Sequence, residues 1–117
     1  MQKKYLIKKN IDYRKVYNSG ISLTNRYVVI FVSKNNQSNK RFGFSVSKKI
    51  GKAVKRNYIR RRLKEICRLN ENWFQNGYDY IFIARKGIDE VSYNILVGSL
   101  EKLVYRISKL ISGKFKT

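Results

Sequence analysis

The chain has no histidine and no proline, one cysteine (Cys67), and seven acidic residues against 27 Lys and Arg. Without histidine it can form neither a Ser-His nor a Cys-His nucleophile pair, and no Cys/His cluster can hold zinc. The acids are Asp12, Glu65, Glu71, Asp79, Asp89, Glu90 and Glu101, and their spacing shows no close cluster of the kind that holds two metal ions. These absences speak against chemistry performed by this chain alone. A lone cysteine excludes an intramolecular disulfide and suits a reducing compartment. The N-terminus is basic, but no apolar stretch of signal length follows it, and no run approaches the ~18 apolar residues of a membrane span. The expectation is a cytoplasmic protein with no membrane anchor.

What the chain has in excess is positive charge. Its formal net charge is +20 over 117 residues. Repulsion of that size weakens a compact state, and solubility needs far less charge. A polyanion relieves the repulsion, and nucleic acid gains counterion entropy when Lys and Arg meet its phosphates. Nucleic acid is therefore the expected partner, with anionic membrane as the main rival. Since 43% of residues are hydrophobic, there is material for a real core. Residues 1–117 read as one domain, with no linker, repeat or low-complexity stretch.

Coarse patterning gives the elements. A short helix is expected from Lys8, capped by Asn10 and ended by Gly20, with Tyr13 and Tyr17 on one face. Tyr27 to Ser33 is β-branched and aromatic throughout, as in a central strand. A polar loop, Asn35 to Asn39, separates it from Arg41 to Ser47, where Phe42, Phe44 and Val46 alternate on one side; the two runs read as a hairpin. A basic helix is expected from Lys52 to Leu69, a turn from Asn70 to Gly77, and a strand from Tyr78 to Arg85. The last helix is expected from Ser92 to Ser112, with Leu96, Leu100, Leu103, Ile107, Leu110 and Ile111 as its stripe and Gly113 as its stop. Such an amphipathic helix also suits a membrane surface, but here a sheet needs covering. The fold class is α+β, with helices packed on a small sheet whose strand order the pattern leaves open.

The basic helix carries the functional argument. Between Lys52 and Lys64 lie Lys52, Lys55, Arg56, Arg60, Arg61, Arg62 and Lys64. At about 100° per residue, Asn57, Arg61, Lys64 and Arg68 project from one side with Arg60 beside them, while Ile59, Leu63 and Ile66 project nearly opposite. One face can pack on the sheet while the other presents cations outward. Arg supplies planar bidentate donors for phosphate, and Asn57 has a donor and an acceptor to bridge a phosphate and a base or sugar edge. A merely solvated face normally mixes signs, but Glu65 is the only acid between Lys48 and Arg68. Lys48 and Lys49 extend the patch. A ribosomal or RNA-assembly protein shares these features. A helix-turn-helix DNA binder is less natural, because two strands directly precede the basic helix.

From Ser45 to Glu65 (SVSKKIGKAVKRNYIRRRLKE) the chain resembles the protein component of bacterial ribonuclease P. Lys48, Lys49, Ile50, Gly51, Arg56, Asn57 and Arg61 match that family's signature. Lys8-Lys9-Asn10 with Asp12-Tyr13 and Val16-Tyr17, Asn25-Arg26, and Ile83-Ala84-Arg85-Lys86 extend the resemblance along nearly the whole chain. It departs at Tyr58, where a basic residue is common, at Lys64 in place of Arg, at Lys52 in place of Asn, and at Gly87 in place of Pro.

The resemblance implies a mixed sheet with three helices, in the order α-β-β-α-β-α, with an uncommon left-handed strand-helix-strand crossover. It implies a ribonucleoprotein endoribonuclease that removes the 5′ leader from precursor tRNA, in which the RNA subunit carries the active site and its Mg²⁺. The implied partners are ribonuclease P RNA and precursor tRNA, with no membrane and no small-molecule substrate. Lys48, Lys49, Lys52, Arg56, Asn57, Arg60, Arg61, Lys64 and Arg68 would bind RNA. Tyr13, Tyr17, Phe31 and Arg41 would line the leader cleft, with further phosphate contacts from Lys49 and Arg56. No residue is assigned a catalytic or metal-binding role.

Overall fold

A computed structural model describes residues 1–114. Three helices pack on one four-stranded sheet. The helices are α1 (Asn10–Ser19), α2 (Ala53–Leu69) and α3 (Tyr93–Lys114); the strands are β1 (Ile21–Thr24), β2 (Val28–Lys34), β3 (Arg41–Ser45) and β4 (Tyr78–Ala84). The α+β class, the three helices and the mixed sheet agree with the sequence reading. Helix α1 begins at Asn10 itself, with Lys9 in the capping position, and Gly20 ends it by donating its N–H to the Val16 carbonyl.

The strand pairing corrects the expected hairpin. The order is β1-β2-β4-β3, so β2 and β3 are not neighbours. Strand β4 lies between them, antiparallel to β2 and parallel to β3. The hairpin partner of β2 is β1, a four-residue edge strand that the sequence reading did not separate from the preceding turn. Asn25 makes that hairpin: its Oδ1 accepts from the N–H groups of Tyr27 (2.8 Å) and Val28 (2.9 Å), an Asx turn. The loop after β2 is clamped to the start of β4 instead. Asn35 N–H donates to the Gly77 carbonyl (3.0 Å), and Gly77 N–H donates to the Asn39 carbonyl (3.1 Å). β4 is the strand with the longest buried run, Asp79 to Phe82, as its place between two partners demands.

Pleating divides the sheet cleanly. Val28, Ile30 and Val32, Tyr80, Phe82 and Ala84, and Phe42 face the main core with Ile59, Leu63 and Ile66 of α2 and Leu96, Leu100, Leu103 and Ile107 of α3. Leu110 is an exception to the expected α3 stripe, since it is exposed while Ile111 is buried. Ser92 starts α3 by accepting from the Ile95 N–H, and the helix continues through Gly113 instead of stopping there. The other face of the sheet carries Phe31, Ile81 and Gly43 in one row, and Ser33, Asp79 and Arg41 in the next. Helix α1 packs there through Val16, against Ile81 and Ile7.

One ion pair holds that face together. The Arg41 guanidinium donates Nε–H to Asp79 Oδ1 (2.9 Å) and Nη2–H to Asp79 Oδ2 (2.6 Å), and its Nη1 lies 3.5 Å from Asp12 of α1. Asn35 Nδ2 also donates to Asp79 (2.9 Å). With side-chain exposures of 17% for Arg41 and 5% for Asp79, removing one partner strands a buried charge. Asp79→Ala is expected to cost about 3–5 kcal/mol in urea unfolding, whereas the more exposed and longer Asp12 contact is worth about 1 kcal/mol or less. Equal losses for Asp79→Ala and Asp12→Ala would show that the buried fork is not the stabilising contact.

Candidate RNA interface and aromatic cleft

Helix α2 turns its apolar residues inward as the spacing predicts: Ile59, Leu63, Ile66 and Cys67 are buried. Burial pushes the Cys67 thiol well above its ordinary range, so it packs as a small apolar side chain. Asn57, Arg61 and Arg68 lie outward and exposed, with Lys64 half-exposed. Before the helix, Lys48 and Lys49 stand exposed on a single 3-10 turn (Lys48–Ile50), and Ser47 Oγ accepts the Lys49 N–H (3.2 Å) to shape it. Lys52 follows, also exposed, in the capping position of α2.

The acids are placed so that most of this surface keeps its charge. Asp12 and Asp79 hold Arg41, Glu71 holds Lys40, Asp89 holds Lys55 (3.0 Å), and Glu65 holds Arg68 (2.6 Å). Among the described residues no carboxylate holds Lys48, Lys49, Lys52, Arg56, Arg60, Arg61 or Lys64. Arg68 differs from the rest of the expected set, because its fork already grips Glu65 and holds that carboxyl below the usual range. Arg56 is half-buried, and its Nε is a buried donor with no hydrogen-bond partner among the described residues. Arg60 bends back, donating Nη1–H to Asn57 Oδ1 (2.7 Å). That contact uses one of the Asn57 acceptor positions that the sequence reading reserved for RNA, leaving its Nδ2 donors and a second lone pair.

Three of the four expected cleft residues come together. Tyr13 and Tyr17, one turn apart on α1, have ring centroids 6.4 Å apart, and Tyr17 meets Phe31 of β2 edge-on at 5.1 Å. Tyr17 is 37% exposed, and Tyr13 and Phe31 are half-buried. Val29 and Ile83, paired in register one row further along the same sheet face, are also half-buried. Sequence reasoning named Phe31 alone; the two-residue alternation from Phe31 to Val29 carried the signal for its neighbour. Gly43 lets α1 approach: a Cβ there would stand 2.7 Å from the Tyr13 hydroxyl and 2.8 Å from its ring carbons. Burial pushes the Tyr13 phenol up, with the Phe44 backbone and the Arg60 charge pulling against it. Burial, then the neighbouring Tyr13, push the Tyr17 phenol up as well. Both rings therefore stay neutral at physiological pH and do not repel phosphate.

Arg41 is the fourth expected cleft residue, and the structure gives it another task. Its fork is occupied by Asp79 and faces Asp12, so it braces α1 against the sheet and has little left to offer a phosphate. The Arg60 charge acts on the Tyr13 phenol, pulling against the effect of burial. Among the described residues no three of Asp, Glu, Cys or His lie close enough to hold a metal ion. Asp12 and Asp79 converge on Arg41.

The comparisons with known proteins bear on the family and the fold. The family model described as ribonuclease P matches residues 1–108. A ribonuclease P protein component from Clostridioides difficile is 45% identical over 101 residues, covering 86% of this chain and 89% of that one. The chain belongs to the ribonuclease P protein family. Among solved structures, the RNase P protein of Staphylococcus aureus superposes with a TM-score of 0.80 at 36% identity, covering 90% of this chain and 95% of that one. The RNase P protein from Thermotoga maritima gives 0.79 at 32% identity, covering 86% and 94%. Membership makes the chain part of a ribonuclease P complex, with RNA as its partner, and does not favour the ribosomal alternative. No helix among the described residues is long and apolar enough to cross a membrane.

The contact between Gly43 and Tyr13 yields a direct test. Gly43→Ala puts a methyl group inside the ring's van der Waals envelope, and overpacking of this kind costs about 1–3 kcal/mol. The expected result is a lower urea midpoint with altered near-UV circular dichroism from the displaced tyrosine. An unchanged midpoint and spectrum would mean that α1 does not rest on Gly43.

Proposed function

We propose that this ribonuclease P protein binds the catalytic RNA through the cationic side of α2 and the preceding Lys48–Ile50 turn, and holds the 5′ leader of precursor tRNA in the cleft between α1 and the sheet. One observation carries the reading: a single small fold presents both a set of α2 cations that no carboxylate holds and a cluster of rings, Tyr13, Tyr17 and Phe31, between α1 and the sheet. The leader is single-stranded, and bases stack on rings such as Tyr17 and Phe31 with little sequence preference, worth roughly 1–3 kcal/mol per base. That tolerance suits leaders that differ among tRNAs. Arg56, Asn57, Arg60 and Arg61 supply phosphate and edge contacts.

On this reading the RNA subunit carries the endonucleolytic chemistry and its Mg²⁺, and the protein contributes position. Leader contacts favour precursor over mature product, and the cationic face screens RNA–RNA repulsion. The setting is cytoplasmic.

Cleavage of precursor tRNA by the partner RNA, with and without the protein at low Mg²⁺, is the test. The protein is expected to stimulate cleavage and to strengthen binding of a leader-bearing substrate more than a leaderless one. Equal effects on the two substrates would remove the leader-binding role, and no stimulation at any Mg²⁺ concentration would remove the whole reading. A second measurement addresses α2. Arg61→Ala is expected to weaken RNA binding and to reduce the slope of log K against log salt by about one. An unchanged slope would show that Arg61 does not neutralise a phosphate.

A further inference from the structure

A short apolar strip interrupts the cationic surface of α2. Val54 is 81% exposed and Tyr58 49% exposed, among the exposed cations Lys52, Lys55 and Arg61. Spaced four and then three apart, Val54, Tyr58 and Arg61 share one side of the helix. They line an open groove of about 730 Å³ together with Gly51, Lys52 and Lys55. The groove has no acid in its lining. Lys55 is already drawn to Asp89 (3.0 Å), so Lys52 and Arg61 are the cations left to meet a ligand.

Tyr58 is held in place from behind. The Arg62 guanidinium carbon lies 5.5 Å from the Tyr58 ring centroid and 5.8 Å from that of Tyr93, and its Nη2–H donates to the Val91 carbonyl (3.4 Å). A guanidinium shared by two rings restrains both. A ring that is already ordered loses little freedom when a ligand stacks on it.

We propose that this groove is a platform for one unpaired base of the RNA bound by α2, with the base on Tyr58 and Val54 and its flanking phosphates on Lys52 and Arg61. The inference rests on the RNA-binding reading above and adds a second stacking site to it, on α2 instead of in the α1 cleft. Charge decides between occupants. An apolar protein segment would need more than two exposed apolar side chains, and duplex nucleic acid offers backbone but no open base face. A single unstacked nucleotide matches one ring, one aliphatic contact and two flanking cations.

Binding of ribonuclease P RNA to the intact protein, measured across a salt series, tests the platform with Tyr58→Ala, Tyr58→Phe and Arg61→Ala. Because Tyr58 carries no charge, Tyr58→Ala is expected to weaken binding about five-fold or more at every salt concentration without changing the slope, the lower end of what alanine costs a base–aromatic stack. Tyr58→Phe keeps the ring and is expected to bind within about two-fold of the parent chain. Arg61→Ala is expected to change the slope by about one, as a phosphate ligand does. Tyr58→Ala matching the parent, or Tyr58→Phe losing as much as Tyr58→Ala, would overturn the platform. So would a loss confined to low salt. Stimulation of precursor cleavage by the parent chain reports on the underlying reading separately. If the parent chain stimulates and Tyr58→Ala binds normally, the platform alone fails; if the parent chain neither binds nor stimulates, both fail.

Discussion

A carboxylate with almost no access to water must be matched, and Asp79 is matched by three hydrogen bonds from two partners. Arg41 grips both of its oxygens, Asn35 donates to one of them, and the same Arg41 reaches Asp12 on α1. Through this knot β3 is held to β4, the loop after β2 is held to the start of β4, and the N-terminal helix is held to the sheet. The cleft exists because α1 is fixed at that height and angle. Gly43 sets how close the helix can come, and the Arg41–Asp79 pair sets which end of it is pinned. A buried ion pair is seldom a large net source of stability, but it is costly to break, and that asymmetry suits a part whose task is to fix geometry.

The same economy of acids explains how a chain of charge +20 keeps a fold and a binding surface at once. Acids are spent where cations would otherwise disturb the structure: under Lys40, which is buried and donates to the carbonyls of Glu71 (2.7 Å) and Phe74 (3.0 Å), around Arg41, and beside Lys55. They are absent from the turn before α2 and from its first two turns on the outward side. Part of the remaining repulsion lies on that side of α2, and a polyanion would relieve it.

Helix α2 was legible from sequence because two independent periodic signals, an apolar row and a cationic row, agreed on one helix. The aromatic cleft was legible in part, since Tyr13 and Tyr17 follow from helical spacing, while their meeting with Phe31 depends on how α1 lies on the sheet. Strand pairing was not legible. β2 and β3 have the patterning and loop length of a hairpin, and nothing local to either shows that β4 will slide between them. The deciding contacts, Asn35 and Asn39 with Gly77, join residues about forty positions apart. The carboxylate partners of Arg41 were illegible for the same reason: a basic residue at the start of a strand reads as a ligand for phosphate until its distant carboxylates are known. Tyr58 was noticed only as a departure from the family pattern, because a lone aromatic on a charged helix face has no periodicity to reveal its neighbours.

A protein can influence a reaction that another subunit performs, provided its two surfaces hold a constant relation to each other. Here that relation runs through the core. Ile59, Leu63 and Ile66 seat α2 on one face of the sheet, Val16 and Tyr13 seat α1 on the other, and β4 is common to both contacts. Any RNA docked on α2 would therefore fix the position of the α1 rings relative to the RNA. A single-stranded segment on those rings would then be held at a defined distance from that RNA, and ordering of this kind is where proximity effects in catalysis originate.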